Sequence, residues 1–378
     1  MNKHQAYTIE YLHLIEGLEA GVAEGNISVR SNGPFKQYTY TQKCVMDKAW
    51  DLYTESARGL IVDTHHGQIA AAPFPKFFNF DERPIRLPDE PFRAFDKIDG
   101  SLIIQYRDRY AEAWAFATKG SFNSDQALMA KKMYEKDPIQ LNPLYTYLWE
   151  ITYPENRIVV DYRGQSNLWL LGAYNVETGE EILTDNLLPP GRLPDIYRIV
   201  PMRDFSSIEE ILEYGKGIKG TDAEGIVIRY PNGLRLKIKF DEYLRLHKLV
   251  SRITPLAIWE MIAAGDNLEA AKMQIPEEFH SDFNTIYALI SRQIDIGMMD
   301  AIKFYEANKD LPQKDYALLL QMTLIDGGAK SVAFSLKSGT PIERCRRALA
   351  KRYRPTANKL EGYVPSRNIV RFATDEEL

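Results

Sequence analysis

The stretch DAEGIVIRYPNGLRLKIK, residues 222–239, decides how the middle of this chain folds. Pro231-Asn232-Gly233 is its turn signal. A two-residue Asn-Gly turn would pair Pro231 with Leu234 and place proline in the ladder. A three-residue loop, a type I turn closed by a left-handed glycine, suits proline at its first position and glycine at its last. The side chains choose between the two, because facing residues share one side of a sheet. With Tyr230 opposite Leu234, one face carries Ile226, Ile228, Tyr230, Leu234, Leu236 and Ile238, and the other Val227, Arg229, Arg235, Lys237 and Lys239. The two-residue register would set the lysines against isoleucines. The three-residue loop is therefore predicted, with Lys237 and Lys239 pointing into one space and Val227 opposite Lys237. Alone, that basic face could be the solvated side of an edge hairpin. Glu224, beside Gly225, is a carboxylate that a bulge could turn toward the lysines.

Short β-prone runs separated by turn signals lead up to this hairpin. Leu60-Ile61-Val62 and Gln68-Ile69-Ala70 flank Asp63-Thr64-His65-His66-Gly67. Leu102–Tyr106 and Tyr110–Ala117 flank Arg107-Asp108-Arg109, and Trp169–Tyr174 precedes Val176-Glu177-Thr178-Gly179. Strands at this spacing predict antiparallel sheets in an α+β domain. His65 and His66 point apart on extended chain and read as turn residues, not metal ligands. At the N-terminal end, Leu12, Ile15 and Leu18 predict one face of a helix from about Tyr7 to Ala23.

Beyond the hairpin the pattern turns helical from about Leu244. Thr254-Pro255 reads as an N-cap followed by a first-turn proline, and Gly265 closes that helix after Ile258, Trp259 and Ile262. Phe283, Ile286, Ile290 and Ile294 are in register along a helix from about Glu278 to Asn308. Thr340-Pro341-Ile342-Glu343 reads as a capping box. The expected architecture is α+β: an N-terminal domain, residues 1–245, of antiparallel sheets with flanking helices, then an all-α C-terminal domain, residues 246–378.

The bulk numbers agree with two domains, or at most three, for 378 residues. Hydrophobic residues make up 45% and charged residues 26%, which is ordinary for a globular chain and argues against extended disorder. The formal net charge of −5 provides no global positive field, so any nucleic-acid partner must be held by local patches. Cys44 and Cys345 cannot supply a four-ligand zinc site and read as reduced thiols. No apolar run reaches membrane-spanning length and no leader pattern opens the sequence, so a soluble intracellular protein is expected.

The chemistry centres on Phe95-Asp96-Lys97-Ile98-Asp99-Gly100-Ser101-Leu102, where a lysine stands in a turn before a strand. A lone K-x-D-G is weak. It gains weight from the motifs downstream of it, in order: Lys119-Gly120, Glu150 at the end of the apolar run Leu148-Trp149-Glu150-Ile151, Glu224-Gly225, and Lys237-Ile238-Lys239. These residues in this order resemble the covalent nucleotidyltransferase superfamily of DNA ligases, RNA ligases and mRNA capping enzymes. The closer similarity is to the bacteriophage tRNA-repair type, the RNA ligase 1 family. Arg58-Gly59, Pro75-Lys76-Phe77-Phe78-Asn79 and Pro154-Glu155-Asn156-Arg157-Ile158-Val159 look like its upstream arginine, its K-F-F-N segment and its P-x-N-R-I-V run. The similarity covers about residues 35–245 well and the helical tail more loosely.

The resemblance implies an ATP-dependent RNA ligase that joins 5′-phosphate and 3′-hydroxyl ends through a lysyl–AMP on Lys97. An amine attacks only when neutral, and the cations Lys119, Lys237 and Lys239 and a bound metal would disfavour the ammonium form. Lys237 and Lys239 would stabilise charge developing on the α-phosphate. By resemblance, Arg58 and Lys76 hold the β- and γ-phosphates, Tyr40 also touches them, and Glu150 binds the ribose hydroxyls. Glu224 takes Mg²⁺ or Mn²⁺ or its water shell, Gly100 admits the nucleotide to the backbone, and Phe78 and Val227 sandwich the adenine. Phe77 and Phe78 are by default core aromatics, and only one is expected to meet the base. A carboxylate such as Glu150, ending so apolar a run, is costly without a partner. RNA ends are the implied partner, a cleaved tRNA anticodon loop among them. A monomer is expected, without membrane contact and in the cytoplasm, or in the host's if the chain is phage-encoded.

DNA ligases and capping enzymes, the nearest alternatives, carry a β-barrel after the K-x-K motif, whereas this chain turns helical. A non-catalytic RNA-binding protein with a residual nucleotide pocket is disfavoured by the intact lysine and both glutamates. Arg344, Arg346, Arg347, Lys351, Arg352 and Arg354 cluster near the last helix. Such runs are commonly solvated faces, and RNA contact is the other reading.

Overall fold

The structure is a computed structural model that describes residues 2–184, 187–188, 193–251, 253–273, 275, 279–356 and 359–364. The chain divides into two compact units, the first running to Arg245 and the second beginning at Leu246.

In the first unit the helices are α1 (Tyr11–Ala23), α2 (Gln42–Asp47), α3 (Leu52–Ser56), α4 (Asp125–Lys136) and α5 (Ile208–Lys216). The strands are β1 (Ile27–Asn32), β2 (Phe35–Tyr40), β3 (Arg58–Asp63), β4 (Gln68–Ala71), β5 (Phe78–Asn79), β6 (Arg93–Lys97), β7 (Ser101–Asp108) and β8 (Ala113–Ala117). They continue with β9 (Tyr145–Thr152), β10 (Asn167–Asn175), β11 (Glu181–Ile182), β12 (Tyr197–Ile199), β13 (Met202–Arg203), β14 (Gly225–Arg229) and β15 (Arg235–Lys239).

Three sheets result, in the orders β1-β2-β3-β4, β11-β10-β9-β7-β8 with β12 on β10, and β13-β6-β14-β15-β5. Pairing is antiparallel, as expected, except that β12 runs parallel to β10 and β5 parallel to β15. One core, with Leu14, Leu18, Tyr38, Leu60, Ile104 and Leu148, joins α1 and the first sheet to one face of the second. The other face of the second sheet, with Ile103, Tyr147, Trp149 and Leu168, packs on α4. Ile226, Ile228, Tyr230, Leu236 and Ile238 form a third core with α5.

The hairpin has the register read from its sequence. Arg229 faces Arg235 and Val227 faces Lys237, while the Tyr230 N–H donates to the Leu234 carbonyl at 2.9 Å. Gly233, at φ 91°, is the left-handed residue that the three-residue loop requires.

The first helix differs from expectation. A 3₁₀ turn, Gln5–Thr8, precedes α1, which begins only at Tyr11. Leu12 is exposed, and the buried face is Leu14, Leu18 and Gly21. The glycines choose that face: a Cβ at Gly17 would overlap the Tyr53 ring, and one at Gly21 would meet Ile27 at 2.6 Å. Hydrophobicity alone did not carry this information. Helices α4 and α5 interrupt the strand-rich region, each started by a serine cap, Ser124 and Ser207.

The chain continues with α6 (Asp241–Ser251), which crosses the contact boundary, and then α7 (Pro255–Ala264), α8 (Leu268–Lys272), α9 (His280–Asn308), α10 (Gln313–Met322), α11 (Gly327–Lys337) and α12 (Ile342–Arg352). Thr254 caps α7 by accepting from the Ala257 N–H, and Gly265 is left-handed at its end. Phe283, Ile286, Ile290 and Ile294 line the buried side of α9; Glu278, its expected start, lies outside the described residues. The capping box at Thr340 does not form. Pro341 is the N-cap of α12, with no side-chain cap bond, which leaves Thr340 one residue too early. Among the described residues, no helix is long and apolar enough to cross a membrane.

Candidate active site

Strand β14 runs between β6 and β15, and Gly225 stands opposite both Lys97 and Lys239. Glu224, one residue earlier, therefore enters between the two lysines. Its carboxylate is 2% exposed; Oε2 lies 2.8 Å from Lys97 Nζ and Oε1 3.0 Å from Lys239 Nζ. No bulge is needed, because the register runs unbroken from Gly225 and Glu224 reaches the lysines from just ahead of the strand. A side chain at Gly225 would overlap the Ile238 carbonyl, so glycine lets the three strands close.

The K-x-D-G turn links β6 to β7. Its Gly100 lies against β9, where a Cβ would overlap the Ile151 carbonyl and sit 3.1 Å from Glu150 Cγ. Glu150 pairs with Leu102 and Trp169 across the second sheet, so its side chain borders the turn. Asp99 is buried. Its Oδ2 accepts from the N–H groups of Val159 (2.9 Å) and Val160 (2.8 Å), and its Oδ1 from the Tyr243 hydroxyl (2.8 Å). The Asp99 N–H donates to the Tyr162 hydroxyl at 2.7 Å. Burial, and next the charge of Glu224, push its carboxyl up to about 6 against the opposing pull of those hydrogen bonds. Residues 154–160 thus act as a clamp on the K-x-D-G turn. Asn156 completes it, donating to Ser101 Oγ at 3.1 Å and to the Ile151 carbonyl at 3.3 Å.

The upstream residues come in from the first sheet. Gly59, at φ 93°, opens β3 beside Arg58, and a Cβ there would lie 2.9 Å from the Lys119 carbonyl. Gln37 donates to the Thr118 carbonyl (2.7 Å) and Thr39 to that of Lys119 (2.6 Å), which fixes the backbone of the Lys119 segment. Lys119 Nζ lies 5.1 Å from the centre of the Tyr40 ring. Lys76 Nζ lies 5.8, 5.3 and 5.2 Å from the ring centres of Tyr40, Trp50 and Phe78. Arg58 lies 5.5 Å from the centre of the Phe77 ring, and its Nη1 is a buried nitrogen with no hydrogen-bond partner among the described residues. Lys237, 4% exposed, brings its Nζ to 5.8 Å from the same ring.

Nine of the expected residues gather into three groups on one unit: Lys97, Glu224 and Lys239; Arg58 and Lys237 beside the Phe77 ring; and Lys76, Lys119, Tyr40 and Phe78. Gly100 and Glu150 lie together at the K-x-D-G turn, and Val227 faces Lys237. The two rings of the Lys76-Phe77-Phe78 segment differ in access. Phe78 is 3% exposed, with Arg83 stacked 3.6 Å from its ring centre and Trp50 edge-on at 5.5 Å. Phe77 is half-buried and neighbours Lys237, which faces Val227. Three residues were not anticipated: Trp50, Asp99 as a clamped carboxylate, and Tyr243, whose ring centre lies 5.5 Å from Lys239 Nζ. Asp99 is part of the K-x-D-G signature, but no spacing tells what it holds, and Trp50 and Tyr243 belong to no periodic pattern.

Lys97 and Lys239 thus close on Glu224 from the two strands that flank β14 in a single sheet, while Arg58 and Lys76 come from segments earlier in the chain. The chain belongs to the RNA ligase family, whose model matches residues 56–244. An RNA ligase of Rhodothermus phage RM378 is 23% identical over 384 residues, covering 76% of this chain and 85% of the phage protein. A protein of Autographa californica nuclear polyhedrosis virus, named for a bifunctional polynucleotide kinase/RNA ligase, is 29% identical over 241 residues, 56% of this chain. The chain spans about a third, 33%, of the length of that viral protein. An archaeal ATP-dependent RNA ligase of known structure (form 2) overlays with a TM-score of 0.43 at 12% identity, covering 66% of this chain and 69% of that one.

Proposed function

We propose that the protein is an ATP-dependent RNA ligase that becomes adenylylated on Lys97. The observation that carries this reading is the placement of Lys97 Nζ beside Glu224, with Lys239 on the carboxylate's other oxygen. In the first step the Lys97 amine, having lost a proton, attacks the α-phosphorus of ATP. A P–N bond forms, the bond to the bridging oxygen breaks, and pyrophosphate leaves. The AMP then passes to an RNA 5′-phosphate, and a 3′-hydroxyl displaces it as the phosphodiester forms. Lys237 and Lys239 would offset negative charge at the α-phosphate. The unpartnered guanidinium nitrogen of Arg58 and the ammonium groups of Lys76 and Lys119 fit the remaining phosphates. Phe77 would take one face of the adenine, with Val227 on the other, and Glu150 the ribose. Glu224 suits a divalent ion that keeps most of its water and relies on substrate phosphates, as Mg²⁺ does. Such an ion, when bound, would add positive charge at the reacting phosphate.

The same reading assigns residues 1–245 to nucleotide chemistry and residues 246–378 to recognition of RNA, with the ends of a cleaved tRNA as the substrate to try first. The test is incubation with labelled ATP and Mg²⁺. One AMP should be retained per wild-type chain and none on Lys97→Ala. Lys97→Arg should fail too, since a guanidinium stays protonated. Label surviving in Lys97→Ala would overturn the assignment.

A further inference from the structure

The aromatic rings around Lys76 form an arrangement that phosphate binding does not itself require. Tyr40, Trp50 and Phe78 stand edge to face in sequence, Tyr40 to Trp50 at 5.1 Å and 82°, Trp50 to Phe78 at 5.5 Å and 83°. Trp50 is thus the hub, and Lys76 Nζ lies within 5.8 Å of all three ring centres. Tyr40 carries Lys119 at 5.1 Å as well as Lys76.

The backbone shows how firmly the hub is held. Trp50 lies in the short link between α2 and α3. Lys48, left-handed at φ 51°, ends α2. The Trp50 N–H donates to the Lys48 carbonyl at 2.8 Å. Asp51 starts α3 with a closed capping box. The far end of α3 meets Lys76 itself, whose N–H donates to the Glu55 carbonyl at 2.7 Å. One five-residue helix therefore sets both the indole and the lysine backbone.

We propose that Trp50 is a positioning residue for the triphosphate, holding the Lys76 ammonium in place for the attack on ATP. This rests on the ligase reading above. A cation against an indole face, partly desolvated, is attracted more strongly than against any other ring, and the indole also blocks rotamers that would swing the lysine to solvent.

The test is a cycle of Trp50→Leu, Trp50→Phe and Lys76→Met in the full chain, read by single-turnover labelling of Lys97 across ATP concentrations and by joining of pre-adenylylated RNA. Trp50→Leu should raise the half-saturating ATP concentration about 5- to 30-fold, the range expected for a desolvated cation–ring contact. Trp50→Phe, which keeps a ring, should recover most of that loss. Joining of pre-adenylylated RNA, which needs no triphosphate, should fall much less than labelling. In the Lys76→Met background the Trp50 change should add less than about 2-fold, because the two residues act as a unit. An additive loss in that background, an equal loss in both assays, or an unchanged ATP dependence would each overturn the proposal. If Trp50→Leu does not fold, the same cycle with Trp50→Phe decides by its coupling to Lys76. Failure of the ligase reading itself would look different: wild-type protein would take up no label, or Lys97→Ala would retain it.

Discussion

Lys97 Nζ and Glu224 Oε2 lie 2.8 Å apart, and the second oxygen of the same carboxylate faces Lys239 at 3.0 Å. The relationship comes from register: Gly225 opposite both lysines leaves its neighbour Glu224 between them. A carboxylate at this distance favours the ammonium form of Lys97, whereas cations alone would favour the neutral amine. On the proposed ligase reading, adenylylation of Lys97 would depend on drawing the charge of Glu224 elsewhere.

Glu224→Gln should expose that balance. It leaves the Lys97 and Lys239 ammonium groups, 14% and 16% exposed, without the carboxylate they share. Removing one partner of so buried a cluster costs about 3 kcal/mol or more. The variant should unfold at lower urea and lose most Lys97 labelling, with the urea midpoint and label per chain as the two readouts. Wild-type stability in this variant would show that the pairing contributes nothing to the fold.

Arg58 and Lys76 should separate the steps of the reaction. If they grip the β- and γ-phosphates, Arg58→Ala and Lys76→Ala should slow labelling by about 10²-fold, the scale for losing a donor to developing charge. Joining of pre-adenylylated RNA should suffer far less. Equal losses in both assays would reassign these residues to RNA binding or to the fold.

Much of this site was legible because two regular patterns intersect on it. The alternation in residues 225–239 fixed the faces of the hairpin, and the ordered motifs supplied Lys97, Glu150 and Glu224. What escaped the sequence was set by packing between distant segments. Asp99 is satisfied by Val159 and Val160, about sixty residues away, and by Tyr243, which is farther still. The burial of Phe78 beside a half-buried Phe77 goes with Arg83 covering the first of the two rings. The face of α1 depends on which glycines admit Tyr53 and Ile27. None of these leaves a periodic trace.

His4 should give the protein a measurable acid sensitivity. It is buried, with Nε2 donating to the Pro73 carbonyl at 2.9 Å and Nδ1 accepting from the Ala6 N–H at 3.1 Å, which requires the neutral ring. Burial lowers its pKa from 6.5 to about 4. A depressed folded-state value means stability that is fully present above pH 6.5 and lost as pH falls toward 4, up to about 3 kcal/mol. Asp99 acts in the opposite sense. Its raised value favours the folded state below pH 3.8, and that contribution fades as pH rises through about 6. The two partly cancel in the wild type. The difference in unfolding free energy between His4→Gln and wild type isolates the histidine, and should shift in favour of the variant as pH drops from 6.5 to 4. A difference independent of pH would remove His4 from the acid response.

Where the chain is cut should matter more than how much is removed. Helix α6 begins at Asp241 and carries Tyr243, whose hydroxyl donates to Asp99 at 2.8 Å, so part of the clamp on the K-x-D-G turn lies beyond the last strand. The contact boundary after Arg245 falls inside this helix, and a cut there would fray it within a turn of Tyr243. A fragment of residues 1–251 should keep most Lys97 labelling, because every proposed nucleotide contact precedes its end. A fragment of residues 1–240 should lose it, leaving a buried carboxylate with one donor fewer, a loss worth about 1.5–3 kcal/mol for a charged acceptor. Tyr243→Phe in the full chain should reproduce much of that loss without any truncation, which separates the hydroxyl from the helix. Joining of cleaved tRNA by the 1–251 fragment should fall well below its labelling if the helical unit recognises RNA. Equal labelling by the two fragments would dismiss the Tyr243 clamp. A folded 1–251 fragment that binds ATP but cannot label Lys97 would show that the second unit takes part in the first step, and that the two units do not divide the labour between nucleotide and RNA.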